Sequence, residues 1–403
     1  MQGLSSIERG CVDEAAAAPM LGQVEAWAAI NSGSRNLAGL ARQAAELAEA
    51  FSVLPGELKL VDPDPVEAID TRGKRIAVPH GQNICLRVRP QARLQLLFTG
   101  HMDTVFGADH AFQKTRLLEP GVLGGPGVAD MKGGIAIMLA ALTAIETVPL
   151  ARRIGYEVVL NSDEEVGSLG SADLIASAAQ DKHAALTYEP SALPDGTFAA
   201  ARPGSGNFDF TFIGKSAHAG RNPHDGRNAV LAAADLALRL KAGMRDGLSI
   251  NPARIDGGSP NNVVPDSAVL RVNLRPRSLS DQLTAQKLID SSVAAVAAGH
   301  GLHVHVHGHF ARPPKPMTPA LEALFGVVKK AGADLGQTVR WQSTGGVCDG
   351  NNIAACGVPV VDTMGVRGGN IHSDEEYMIA GSLSERASLS ALTILRLASG
   401  GGA

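Results

Sequence analysis

The chain has 403 residues, 45% apolar and 19% charged, which is long enough for two or three domains with a sizeable core. Aromatics at 4% and a formal charge of -4 exclude an aromatic nucleic-acid platform and broad attraction to phosphate backbones or anionic membranes. The cysteines Cys11, Cys85, Cys348 and Cys356 form no Cys-x-x-Cys pair and no tight disulfide framework, so a reducing, cytoplasmic compartment is expected. Residues 1–10 contain acid and no continuous apolar run, so no secretory signal is read there. A charge-free apolar stretch of about 20 residues is also missing, which argues against a membrane span.

Met20 to Leu54 shows helical spacing in Val24, Trp27 and Ala28 and again in Leu40, Ala44, Leu47 and Phe51. Asn31-Ser-Gly-Ser-Arg-Asn36 separates these two predicted helices, with Asn31, Ser32 and Ser34 read as turn and cap residues. Glu57–Val61, Ile76–Pro79 and Ile84–Val88 read as short strands that begin a mixed sheet. His80, in the turn after Pro79, reads as solvated loop. Leu94–Phe98 has four apolar side chains in five, too continuous for a half-exposed edge, and predicts a buried central strand.

The strand ends carry the chemistry-bearing residues. Gly100 breaks the run, and His101 and Asp103 follow two residues apart, pointing one way if the segment stays extended. The pair suits a metal ligand with its orienting partner, or an ordinary polar loop. Next, Leu123-Gly-Gly-Pro-Gly-Val-Ala-Asp-Met-Lys-Gly-Gly134 leads into the helical run Ile135–Leu142. Asp130 stands just ahead of that helix, where N-terminal amides can fix a carboxylate. The segment has neither phosphate-loop nor dinucleotide-fingerprint order. Tyr156–Asn161 reads as another buried strand, ending in Asp163-Glu-Glu-Val-Gly167. Adjacent Glu164 and Glu165 repel one another unless a cation or solvent compensates. One can ligate metal while the other handles protons. Ala184–Tyr188 then ends in Glu189. One histidine among several carboxylates suits Zn²⁺, Mn²⁺ or Co²⁺ rather than a thiolate structural site.

From Gly204 the pattern changes to strand, helix, strand, helix, a small two-layer α/β insert. Phe208, Phe210 and Phe212 alternate along its first strand. A loop with His218, Arg221 and Arg227 precedes a helix to about Leu240. Asn262-Val-Val-Pro265 leads into an alternating strand 268–274, and a second helix covers about 280–298. Arg275 ends that strand, where its guanidinium can meet an anion or join a surface ion pair. His303, His305, His307 and His309 share one strand face, read as a solvated or inter-domain face in preference to a metal patch. The chain then returns with a helix at Pro319–Ala331 and a glycine-rich loop carrying Asp349. Cys348 in that loop reads as a small buried side chain, with no partner at nucleophile spacing. A strand at Pro359–Met364 leads to His372, ahead of a closing helix at Met378–Leu397.

Five motifs in this order, Gly100-His-Met-Asp-Thr104, Gly127-Val-Ala-Asp-Met-Lys-Gly133, Asp163-Glu-Glu-Val-Gly167, Ser216-Ala-His-Ala219 and His372-Ser-Asp-Glu375, resemble a known family. It is the co-catalytic dinuclear zinc peptidase and deacylase family, which includes glutamate carboxypeptidase, acetylornithine deacetylase, succinyl-diaminopimelate desuccinylase and aminoacylase-1. The resemblance spans about residues 20–398 and is nearest the bacterial glutamate carboxypeptidase type. It implies an α/β mixed-sheet catalytic domain with helices on both faces, in segments 1–203 and 317–403. A two-layer α/β dimerisation or lid domain would be inserted at 204–316.

The resemblance further implies five metal ligands, His101, Asp130, Glu165, Glu189 and His372, for two divalent ions, zinc first and cobalt or manganese as alternatives. Asp130 would bridge; His101 and Glu189 would take one ion, Glu165 and His372 the other. Asp103 would orient His101, Glu164 would be the general base, and His218 would reach the partner subunit's site in a homodimer and stabilise the oxyanion. Arg275 and Asn262 would bind substrate, Arg275 through a free α-carboxylate. The stretch Gly346-Val-Cys-Asp349 departs from the family's shorter pattern, which leaves the pocket shape open. The expected reaction is amide hydrolysis that releases the C-terminal amino acid of short peptides or N-acyl amino acids. The alternative is N-deacylation of small metabolites in the manner of acetylornithine deacetylase or aminoacylase. A non-catalytic metal-stabilised binding protein would need neither Glu164 nor Asp103.

Overall fold

The central strand, Leu94–His101, is covered on both sides. In the computed structural model, which describes residues 3–400, Leu96 and Phe98 enter one hydrophobic cluster and Leu97 another. Side chains alternate along a strand, so each face needs its own layer. Helices Gly133–Glu146 and Gly381–Ala398 contribute to one layer; Ala172–Ala179 and Asp349–Ala355 form the other. Each fully buried Leu or Phe contributes about 1.5–3 kcal/mol. By length and composition the segment Val128–Glu146 would pass for a membrane span, yet 94% of its apolar window is buried inside the structure. Its apolar faces are satisfied by the core.

The sheet has six strands in the order Glu57–Val61, Asn83–Val88, Ile154–Asn161, Leu94–His101, Ala184–Thr187 and Val360–Val361. The first three pair antiparallel and the last four parallel, so the sheet is mixed. His101 and Asn161 are in register at the carboxyl ends of neighbouring parallel strands. Loops bearing Asp103, Glu164, Glu165 and Glu189 therefore leave the same edge.

The chain divides into two compact units. The first comprises the described residues of Met1–Asp64, Pro79–Ala201 and Met317–Ala403; the second comprises Pro65–Val78 and Arg202–Pro316. The second unit is an antiparallel four-stranded sheet in the order Leu248–Gly257, Ser267–Pro276, Ser205–Ile213, His303–Arg312. Helices Ala229–Ala242 and Leu279–His300 pack on its apolar face through Leu236, Leu240, Ile289 and Val296 against Phe208, Phe210 and Phe212.

Four expectations need correction. Ile76–Pro79 does not join the mixed sheet, and the first catalytic segment is not continuous to residue 203. Val66–Ile69 and Arg75–Val78 form a hairpin of the second unit, where Ile69 O accepts from Arg271 Nη2 at 3.0 Å and Gly73 lies against Thr211. A short alternating run reads as strand whichever sheet it joins, and nothing local names the partner. The N-terminal helix Ser6–Ala17, with a Ser5–Glu8 capping box, precedes the first helix expected at Met20. The strand expected to stop at residue 274 continues to Pro276, so Arg275 lies within it. Of the four strand histidines, His307 meets the hairpin through the Glu67 carbonyl at 3.2 Å, while His303, His305 and His309 are exposed.

Candidate metal centre

Four loops of the first unit converge. His101 closes the central strand, buried to 1% exposure, and its Nδ1 donates to the main-chain carbonyl of Asp103 at 3.0 Å. That bond leaves Nε2 facing Oδ1 of Asp130 at 3.1 Å and Oε2 of Glu189 at 3.7 Å. On the far side of the same carboxylate, Asp130 Oδ2 lies 3.3 Å from His372 Nε2, which also lies 3.1 Å from Glu165 Oε2. Asp130 thus offers one oxygen to His101 and Glu189 and the other to His372 and Glu165. The Glu164 carboxylate reaches within 4.8 Å of both His101 and Glu189.

Asp103 works on two loops at once. Its side chain is 3.4 Å from His101 Nδ1, farther than its own carbonyl. The carboxylate accepts from the backbone amides of Glu164 and Glu165 at 3.1 and 3.2 Å and from the Ser34 hydroxyl at 2.7 Å. Close glycine contacts set the other ligands. A Cβ on Gly134 would stand 1.9 Å from the Tyr188 carbonyl, and one on Gly365 2.6 Å from the Glu189 carbonyl. Only bare backbone lets the Asp130 turn and the His372 segment approach the Glu189 strand this closely. His372 itself sits in the left-handed region at φ 65, which a non-glycine residue adopts only where its surroundings impose it.

The electrostatics ask for positive charge. Burial alone would raise the Asp130 carboxyl, but hydrogen bonds from His101 and His372 hold it well below the usual range. The bonds to Asp130 and Glu165 push the His372 imidazole up to about 11. Burial and the Asp130 charge push Glu165 up to about 7. His101, although burial opposes its charge, is raised by Glu189, Asp103 and Asp130. Two imidazoles and three carboxylates whose facing atoms stand 3.1–3.7 Å apart fit divalent-ion ligation. Neighbouring ligands on a tetrahedral ion with bonds of about 2.0–2.1 Å are about 3.4 Å apart. Mixed imidazole and carboxylate donors suit Zn, Co or Mn.

The structure therefore brings together His101, Asp103, Asp130, Glu164, Glu165, Glu189 and His372. His218, Asn262 and Arg275 belong to the second unit. The exposed His218 accepts at Nδ1 from the amides of Gly220 and Arg221, both at 3.1 Å, which leaves its remaining proton on Nε2. The Asn262 carbonyl accepts from Ala219 N at 2.9 Å, so its loop is fixed beside His218. Arg275 is exposed and donates from Nε to Asn273 Oδ1 at 3.0 Å.

Several supporting residues escaped the sequence reading. Ser34, read as a turn residue, holds Asp103. Buried Asp349 accepts from Asn161 and Ser168, and Asp163 from Ser171 and Gly170, which pins the turn carrying Glu164 and Glu165. The amides ahead of the 133–146 helix, expected to fix the Asp130 carboxylate, donate to Glu376 instead. Lys132, fully buried, donates to the carbonyls of Trp27 and Ile30 at 3.0 and 2.9 Å. Lys132 stood inside a quoted motif and Glu376 directly after one, but neither spacing nor residue type distinguishes a buried anchor from a solvated charge.

The family model for peptidase family M20/M25/M40 matches residues 97–396. Carboxypeptidase G2 of Pseudomonas sp. (strain RS-16) is 29% identical over 343 residues, covering 82% of this chain and 80% of that protein. Succinyl-diaminopimelate desuccinylase of Pseudomonas fluorescens is 28% identical over 323 residues, covering 75% and 82%. Among solved structures, a tripeptidase from Staphylococcus aureus superposes with a TM-score of 0.72 at 23% identity, over 94% of this chain and 97% of that one.

Proposed function

Since the chain belongs to peptidase family M20/M25/M40, we propose that its hydrolysis of amide bonds in peptides or N-acyl amino acids runs on two divalent ions, zinc in the first place. The observation that carries this reading is the split of Asp130, one oxygen toward His101 and Glu189 and the other toward His372 and Glu165. Two ions, when bound, lower the pKa of a water and polarise the scissile carbonyl.

The chain's own groups do the rest. Glu164 takes a proton as the water oxygen bonds to the carbonyl carbon, and returns it to the amine nitrogen as the C–N bond breaks. Asp103 holds Glu164 in place through its backbone amide. His218, with its proton on Nε2, donates to the developing oxyanion, acting on the site of a second copy in a homodimer. Asn262 steadies the His218 loop and contacts substrate. A metal titration tests the reading: full activity should require the second equivalent per chain, measured by elemental analysis alongside rate. An enzyme fully active with one ion would sink it.

Within that activity the C-terminal amino acid is the leaving group, held by Arg275. Arg275→Lys keeps the charge but loses the planar fork. It should lower kcat/KM for substrates with a free α-carboxylate, and Arg275→Ala should lower it about 10- to 100-fold, the worth of a charged hydrogen bond. Matched C-terminal amides should change little. Equal slowing of acid and amide would remove Arg275 from carboxylate recognition. The likeness to a desuccinylase supports the second reading, a small-metabolite deacylase. A panel of dipeptides and N-acyl amino acids separates the two.

A further inference from the structure

We infer that Glu376 is a positioning residue of the metal centre, a clamp that sets the Asp130 turn so that its two oxygens face different ligand sets. The inference rests on the two-ion reading above. Glu376 is 1% exposed and lies four residues after His372, just ahead of the strand Tyr377–Ile379. Its Oε1 accepts from the amides of Ala129 and Asp130 at 2.9 and 3.1 Å, and Oε2 from Gly127 at 3.2 Å. Its own carbonyl accepts from Gly125 N at 3.2 Å.

These amides have no helical partner of their own. Asp130 at φ -117, ψ 88 and Met131 at φ -137, ψ 35 depart from the helix that follows, and buried amides must find an acceptor somewhere. The carboxylate supplies one from the loop that also bears His372. Tyr377 pairs with Gly124, so the strand ladder fixes where along the turn Glu376 arrives. Lys132 ties the far end of the same turn to Trp27 and Ile30. One residue's carboxylate therefore couples the backbone of one ligand, Asp130, to the loop of another, His372. The charge of Asp130 repels the Glu376 carboxylate and the buried Lys132 ammonium attracts it, so the three amide hydrogen bonds are what fix its place on the turn. Glutamine in its place would keep the shape but turn an NH₂ donor toward amide donors.

The experiment compares wild type, Glu376→Gln and a control, Glu146→Gln, which disturbs a part-buried carboxylate bound to Arg89 and Tyr156 away from the site. Hydrogen exchange is read in the metal-free proteins, and the affinity for each metal equivalent by chelator competition. Glu376→Gln should speed exchange in residues 127–134 by about 10-fold or more, with other segments unchanged. It should also weaken metal binding about 10- to 100-fold, as outer partners of ligands do. Glu146→Gln should lower Tm without either effect. If Glu376→Gln fails to fold, Glu376→Asp carries the same measurements and should be intermediate. Unchanged exchange at the turn, or metal affinity within about threefold of wild type, overturns the proposal. Wild type binding fewer than two ions would instead overturn the two-ion reading, and would leave the exchange result to judge the clamp.

Discussion

Glu164→Gln should lower kcat by about 10²- to 10⁴-fold, the range for a positioned proton transfer, with fold and metal content close to wild type. The glutamine keeps the side chain's shape beside His101 and Glu189. It also keeps the backbone amide that donates to Asp103, so the loop has no reason to move. What it loses is the carboxylate's basicity, because an amide oxygen does not take up a proton near neutral pH. The check is single-turnover rate and KM on protein with matched metal content. Near-normal kcat would remove Glu164 from proton transfer, and a parallel loss of metal would make it a ligand instead. That second outcome has a physical basis, since its carboxylate is near both His101 and Glu189.

Asp130→Ala should have the larger effect on binding. It removes both oxygens between the two imidazoles, so affinity for both metal equivalents should fall by more than about 10²-fold. That exceeds the 10- to 100-fold cost of losing an outer partner. Asp130→Asn is the finer probe. It keeps one oxygen and turns an NH₂ toward the other imidazole, so one equivalent should survive, weakened, and activity should not. Elemental analysis after dialysis against a weak chelator reads both. An alanine variant that retained two ions would show that the ligand sets do not share this residue.

Much of the site was legible in one dimension. Buried strands announce themselves by continuous apolar runs, and an α/β fold puts its chemistry where such strands end. His101, Glu164, Glu165 and Glu189 each follow a strand at once, so the pattern that found the strands found them too. Asp130 was found from its place ahead of a helix and His372 from the loop after the predicted strand 359–364, and the motif order joined them to the other ligands. The two-layer insert was legible from Phe208, Phe210 and Phe212, whose period of two cannot be helical.

The sequence by itself determined the donor chemistry: which side chains can ligate, that one glutamate stands beside another, and that glycines flank the approaches. Only the tertiary structure decided the partners. It sent residues 65–78 to the second unit, because pairing in a sheet is chosen by a distant strand and not by the hairpin's own residues. It gave the amides ahead of the 133–146 helix to Glu376, some 246 residues from Asp130 in the chain, where local reasoning gave them to Asp130 itself. It turned Ser34 from a cap into a support of Asp103. The reason is the same in each case: a buried donor or acceptor must be satisfied, but long-range geometry chooses by what.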